Sequence, residues 1–383
     1  MLYYLAAKAT EYRLLIEWIE SKLEILTRSN TVYKSTITKL QERLVIASLK
    51  QGKLDSIANS GLPSLAPRGM TLVRDIQFDL LIVIDRYLPA LLEESDDTRS
   101  FRSLILKTTM DCGLNWVEDI VVRLDGPHAT FVVIPERPLL ISPPSQTETL
   151  IDLPGVYHEI GHAVFTKYSE IRNTLSHAVD TWFQDLLRQS SRLRPEQRLE
   201  RERQIMNANS YWSRPRIAEL FCDIFGIYYC GLAYYYCCIN LALRFINDPF
   251  IIIETDVHPP AATRVGACDH ALFPQHRSCN IYKTIIELWN DYKRRFISSG
   301  MYGIYCSNEF IDHLTDKCVE AIETYLPHNH RYQTPLQITN PPIVTDSNNL
   351  EDILNYSVIM LLVHKDEYPA WERDVLLKPL FNG

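Results

Sequence analysis

The chain predicts a mainly α-helical protein with one small β-sheet, an α+β arrangement dominated by helices. Three observations predict it. The 383 residues hold only 13 glycines against 21 tyrosines and many leucines. Apolar residues recur at intervals of three and four over long stretches. Between residues 119 and 141 the pattern changes to short runs of β-branched and apolar residues. Apolar residues make up 46% of the chain and charged residues 22%, the balance of an ordinary folded protein. A chain of this length buries a core large enough for two domains or one elaborated domain.

The first sixty residues read as a helical hairpin. Leu5, Tyr12, Leu15, Ile19, Leu23 and Leu26 mark one apolar stripe, and Ile37, Leu40, Leu44 and Ile46 a second. Ser29-Asn30 reads as the turn between them. Gly61 to Gly69, with Pro63 and Pro67, reads as a loop. Further helices are expected from Leu72 to about Glu94 and from Thr98 to Met110, which completes an N-terminal helical domain over residues 1–112. Asp119 to Leu124, a turn at Asp125-Gly126-Pro127, and Ala129 to Ile134 read as a β-hairpin, with Leu139 to Ile141 as a third strand.

A core domain is assigned to residues 113–300. Within it, Ile224 to Leu243 is a run of twenty residues without a formal charge. That is long enough to span a bilayer. Its five tyrosines, two glycines and Asn240 favour a helix buried at the centre of a domain. Arg188 to Arg203 is rich in charge and reads as a solvated helix, with a mobile gate over a cleft as the alternative. Tyr282 to Phe296 and Asn308 to Tyr325 look helical. Pro327 to Asn349 reads as a long polar loop, in which His328 and His330 are surface residues before they are metal ligands. Leu350 to Val363 is a last apolar helix, in a C-terminal extension over residues 301–383 expected to pack on the core.

The net charge of −8 supplies no electrostatic reason to expect nucleic acid as a partner. Nine cysteines are an odd number without a Cys-x-x-Cys pair, and Cys222, Cys230, Cys237 and Cys238 read as small buried hydrophobes. The first residues, Met1 to Lys8, carry no charged segment followed by a long apolar run. These features predict a cytoplasmic protein in a reducing compartment.

The stretch with chemistry in it is His158-Glu159-Ile160-Gly161-His162. On a helix, residues i and i+4 share a face, so both imidazoles can hold one Zn²⁺ at about 2.0–2.1 Å. Glu159 lies about 100° around the same helix. Its carboxylate is thereby kept off the metal but near a water on it, as general base. Asp152 is expected to cap this helix and Pro154 to sit in its first turn. Val156, Ile160, Ala163 and Val164 form its core-facing stripe, and Gly161 permits close approach of another backbone or of the metal.

A hydrolytic zinc site needs a third protein ligand and an open position. Glu219 and Asp223 are i and i+4 on a segment that is otherwise apolar (Leu220, Phe221, Ile224, Phe225), where two acids are costly without a metal or hydrogen bonds. Glu219 is assigned to the metal. Asp223 is assigned to the N–H of a ligand histidine, which it would orient. Asp180, His177 and Glu170 are nearer the motif and compete as ligands, Asp180 first among them.

This combination, His-Glu-x-x-His followed by Glu-x-x-x-Asp, resembles the gluzincin metallopeptidases, such as thermolysin and neprilysin. The stretch from Glu219 to Gly226 with the later His258-Pro259-Pro260-x-x-x-Arg264 also resembles poorly characterised bacterial proteins that carry this zinc signature. The resemblance covers about residues 115–264. It implies a zincin-like core, with zinc on His158, His162 and Glu219, Asp223 supporting a histidine, and a small sheet whose edge strand takes substrate backbone. The interval between His162 and Glu219 is much longer than in thermolysin, and Tyr168 stands where the metzincin pattern would need its third histidine.

Three more residues are candidates around such a centre. His258, held stiff by two prolines, is read as a donor to the developing oxyanion or as a surface residue. Arg264 is read as a salt-bridge partner before a substrate anchor, and Tyr157 as core before a further donor. The expectation is a zinc-dependent peptidase acting on a protein or peptide, with the N-terminal helices available for a partner or an oligomer and a membrane role disfavoured. The alternative is a non-catalytic, zinc-containing helical scaffold or protein-binding regulator.

Overall fold

A computed structural model of the chain describes all residues except 30–32, 93–94, 118, 125–129, 133–138, 142–148, 247, 327–330, 334–349 and 377–383. The expected turn at Ser29-Asn30, the turn at Asp125-Gly126-Pro127 and the pair His328 and His330 lie wholly or partly outside the described residues.

The N-terminal part is built from α1 (Leu2–Ser29), α2 (Lys34–Asn59), α3 (Ala66–Leu81) and α4 (Leu88–Leu92). The expected loop before α3 is shorter than read: Pro63–Leu65 forms a 3₁₀ turn and α3 starts at Ala66, with Pro67 in its first turn. Proline there has no N–H to lose. The single helix expected up to Glu94 is divided by a π-helical turn at Ile82–Tyr87. α5 (Asp96–Asp111) opens with a reciprocal cap in which Ser95 and Thr98 each accept the other's backbone N–H.

Next come three short strands, β1 (Val121–Arg123), β2 (Thr130–Val132) and β3 (Leu139–Ile141). The expected β1–β2 hairpin is not what forms. β3 is central, parallel to β1 and antiparallel to β2. The reason lies in β3 itself: Leu139, Leu140 and Ile141 are all buried, as in a strand covered on both faces. Side-chain alternation then makes the sheet a partition. Val121, Leu139 and Ile141 join the core of α1–α4, while Val122 and Leu140 join a second core. That second core starts at Phe101, Leu104 and Ile105, so α5 packs with the later elements rather than with the N-terminal helices.

The second core contains α6 (Gly155–Lys167), α7 (Ser169–Ser190), α8 (Pro195–Tyr211), α9 (Arg214–Cys230), α10 (Leu232–Phe245) and α11 (Ala261–Ala271). The short α12 (Pro274–Arg277), α13 (Asn280–Lys293), α14 (Gly300–Tyr305), α15 (Asn308–Tyr325), α16 (Leu350–Val363) and α17 (Tyr368–Leu376) complete it. Residues 301–383 contribute Phe310, Leu314, Ile353 and Leu354 to the same cluster.

The uncharged run from Ile224 to Leu243 is two helices, not one. Gly231 breaks it with φ +57, a left-handed backbone that disfavours any side chain. Among the described residues no helix is long and apolar enough to cross a membrane. The run is buried inside the second core instead. The charged stretch from Arg188 to Arg203 is likewise divided, between the end of α7 and α8, and residues 191–200 are exposed throughout.

Candidate metal centre

α6 carries the His-Glu-x-x-His pattern as a buried helix. Val156, Ile160, Ala163 and Val164 are all in the core, as their spacing predicts. Asp152 does not cap it. Its carboxylate accepts from Arg244 at 3.0 and 3.2 Å, and the cap position is Pro154, which offers no side-chain acceptor. Gly161 faces α9 so closely that a Cβ there would stand 3.0 Å from Cys222 Cα. The bare backbone at Gly161 is what lets the two helices meet.

That approach brings Glu219 to the histidines across 56 intervening residues of chain. His158 Nε2 lies 3.2 Å from Glu219 Oε2, and His162 Nε2 lies 3.5 Å from Glu219 Oε1. The imidazole rings stand edge to face, with centroids 4.9 Å apart. Donor atoms at about 2.0–2.1 Å from one tetrahedral zinc are themselves about 3.3 Å apart. The two separations run to different oxygens of Glu219, and both are longer than a direct hydrogen bond of about 2.9 Å. Glu219 Oε2 is also buried without a well-directed hydrogen bond. A buried carboxylate oxygen in that condition is costly, and a cation between it and the imidazoles removes the cost. The residues present therefore fit a metal cation.

A thiol competes for the third position. Cys222 Sγ forms a group with ligand atoms of His158 and His162 in which no separation exceeds 4.8 Å. Burial holds that thiol well above its ordinary pKa, and the charges of Glu219 and Glu159 push the same way. Glu219 lies 3.2 and 3.5 Å from the two imidazoles and is already ionised, its pKa lowered to about 2, whereas the thiol keeps its proton.

The support for His158 is a buried network. His158 Nδ1 donates to Asp223 Oδ1 at 3.0 Å, which leaves Nε2 for the centre. Tyr234, on α10, donates to the same oxygen at 2.6 Å and lies 3.1 Å from His158 Nδ1. Arg264, on α11, closes the network from the other side: its Nε donates to Asp223 Oδ2 at 2.6 Å and its Nη2 to Oδ1 at 2.7 Å. Asp223 has no exposed surface. Arg264 is thus a salt-bridge partner of Asp223.

His258 reaches the same place from the segment before α11. Its Nε2 lies 3.4 Å from Glu219 Oε2, and its Nδ1 lies 2.8 Å from Asp256 Oδ1. The side chain is 48% exposed, so it stands at the rim. Arg216, one helical turn before Glu219, ties this segment down by donating to the carbonyls of Ile253 and Glu254. The prolines do what their positions predict: Pro260 is the residue before the first turn of α11.

Burial opposes charge at each of these groups, and neighbours decide the outcome. For His158 burial lowers the pKa, but Asp223 and Glu219 outweigh it and raise it to about 10. For His162 burial and the charge of His158 act together and lower it to about 4. Burial raises Glu219, but His158 and His162 bring it down to about 2. Asp223 is also opposed by burial, yet Arg264 and His158 hold it well below the carboxylate range. In the metal-free protein His158 is then an imidazolium between two carboxylates, its Nε2 proton occupying the place a cation would take.

Glu159 is buried beside these groups on α6. Its charge acts on the Cys222 thiol. Tyr157 does not approach the centre: its hydroxyl donates to Glu351 Oε1 at 2.5 Å, on α16. Of the competing ligands, Glu170, His177 and Asp180 all lie exposed on α7 and take no part. Tyr234, Asp256 and Arg216 were not singled out by the sequence. Tyr234 sits among five tyrosines of one apolar run, where nothing local marks the one that meets Asp223. Comparison of the chain with protein-family models, with curated proteins and with solved structures gives no match.

Proposed function

We propose that the protein is a zinc-dependent metallopeptidase of the gluzincin type, with a zincin-like core built on α6 and α9. The observation that carries this reading is Glu219, a carboxylate from a distant helix set 3.2 and 3.5 Å from the Nε2 atoms of His158 and His162, with one oxygen lacking a directed hydrogen bond. When bound, zinc supplies Lewis acidity and brings the pKa of a water down to about 7. His158, His162 and Glu219 hold the ion, and Asp223 keeps His158 in the tautomer that turns Nε2 inward. Glu159 takes the proton of the attacking water and returns it to the leaving amine. His258, at the exposed rim, donates to the oxyanion that develops on the substrate carbonyl.

The substrate in this reading is an extended peptide. β2 is an edge strand of the sheet and runs against α6. An edge strand offers backbone N–H and C=O groups to a peptide laid alongside it. The N-terminal helices would choose that substrate or join a partner or a second copy, and the protein would act in the cytoplasm on a specific protein.

The second reading is a zinc-containing scaffold that performs no hydrolysis, and the nearness of Cys222 favours it, since a thiolate suits a closed structural site. Two measurements separate the readings. Protein purified without added metal is expected to hold about one zinc per chain. Glu159→Gln is expected to keep that zinc and lose peptide cleavage by a factor on the order of 100 or more. Equal cleavage by the parent and the variant would falsify the peptidase reading, and loss of zinc in Cys222→Ser but not in Glu219→Ala would establish the thiol as the third ligand.

A further inference from the structure

The proposed site leaves one distance unexplained. An oxyanion donor has to reach the substrate, yet His258 Nε2 points at the ligand carboxylate, 3.4 Å from Glu219 Oε2. That is the oxygen that His158 Nε2 faces at 3.2 Å. Both separations equal, within a few tenths of an ångström, the roughly 3.3 Å between donors on one tetrahedral zinc. The other nitrogen of His258 is also in the state expected of a ligand. Its Nδ1 lies 2.8 Å from Asp256 Oδ1, and the same oxygen accepts the His258 backbone N–H at 2.9 Å. Metal-bound histidines are held in this way by a carboxylate behind the ring. The segment is anchored at both ends. Arg216 from the helix of Glu219 binds the carbonyls of Ile253 and Glu254, and Ala262 N–H donates to Pro249 O at 2.9 Å.

Resting on the metallopeptidase reading above, we propose that His258 is a fourth protein ligand at rest, which closes the metal centre and holds the enzyme latent. With His258 added, three imidazoles and one carboxylate would fill the four protein positions zinc commonly takes, and would leave none for a water until His258 withdraws. The half-exposed ring can withdraw without opening the core, because it sits on an irregular segment at the rim rather than on a helix. A substrate that draws His258 away would open the position and gain an oxyanion donor in the same movement.

The test counts ligands and needs no substrate. The full chain is loaded with Zn²⁺ for X-ray absorption, and with Co²⁺ for its visible spectrum. Three imidazoles are expected in the parent and two in His258→Ala, with a changed cobalt spectrum and a zinc affinity lower by at least about tenfold in chelator competition. Asp256→Asn, which leaves the ring in place, is expected to weaken zinc by less than His258→Ala does. His258→Gln guards against a local fault of the alanine variant. An unchanged histidine count and zinc affinity in both His258 variants, with zinc still lost in His162→Ala, overturns the fourth ligand and leaves the metallopeptidase reading standing. A parent chain that takes up no zinc overturns both.

Discussion

Asp119 and Asp223 are both buried carboxylates facing an arginine, but they hold their protons in opposite ways. Asp119 stands where α2, α5 and β1 meet. Arg102 places both its Nε and its Nη2 on a single oxygen of Asp119, Thr36 adds a bond of 3.3 Å to the other, and Ile120 N–H adds one of 2.9 Å. Burial outweighs these partners and raises the Asp119 pKa. At Asp223 the guanidinium of Arg264 spans both oxygens, and Tyr234 and His158 add two more donors. There the partners outweigh burial and the pKa falls well below the ordinary range. The difference is in the guanidinium: at Asp223 it spans both oxygens, while at Asp119 it reaches one and desolvation prevails. The junction pair joins the two cores of the fold. The site pair keeps a permanent negative charge behind a histidine.

The largest expected effect comes from neutralising each carboxylate in turn. Asp223→Asn leaves the part-buried Arg264 without its counter-charge and is expected to cost about 3 kcal/mol of unfolding free energy. In Asp119→Asn, Arg102 keeps the carbonyl of Ile120 at 2.9 Å and the ring of Tyr33. The expected cost of this substitution is about 1 kcal/mol. Urea unfolding of the two variants measures both, and a reversed order breaks the comparison.

Acidity gives the next effect. In the metal-free protein the raised pKa of His158, about 10, contributes stability that is complete below its unfolded value of about 6.5. That contribution is lost as pH rises through about 10. His162, lowered to about 4, has the opposite sign, and its contribution is lost as pH falls from about 6.5 towards 4. If zinc binds as proposed, it has to displace the His158 proton, so zinc affinity is expected to rise with pH between 6 and 8, by up to about tenfold per unit, with close to one proton released per ion. Calorimetry in buffers of different ionisation enthalpy reads that proton directly. No proton release at pH 7 would mean that Asp223 does not hold His158 charged.

The smallest effect sharpens the site pair from within. Tyr234→Phe removes one of the donors to Asp223 Oδ1 and is expected to cost about 0.5–1.5 kcal/mol. It leaves Arg264 in place, so Asp223 stays ionised and zinc binding falls by less than in Asp223→Asn. Equal loss of zinc in the two variants would shift the orienting role from the carboxylate to the phenol.

The N-terminal helices were legible in the chain because apolar spacing at three and four survives in any context that buries one face. α15 and α16 follow the same logic, and their observed bounds are those the pattern predicts. The strand pairing was not legible. β1, β2 and β3 were each visible as short runs, but their order depends on which strand ends up between two cores, a property of both cores at once. The break at Gly231 was hidden for a related reason: a glycine inside an apolar run looks the same in a continuous helix and at a left-handed turn.

For the candidate metal centre, the chain alone carried the residue types and their local spacing. His158 and His162 share a helix face by arithmetic, and Glu219 and Asp223 do the same, since i and i+4 are neighbours wherever a helix forms. Folding alone brought the two pairs together, through the close passage of α6 and α9 at Gly161 and Cys222, and it alone recruited Tyr234, Arg264, Asp256 and His258 around them. Local spacing follows from bond geometry and is written into neighbouring residues. Contacts between distant segments follow from how whole faces pack, and no single stretch of chain contains that information.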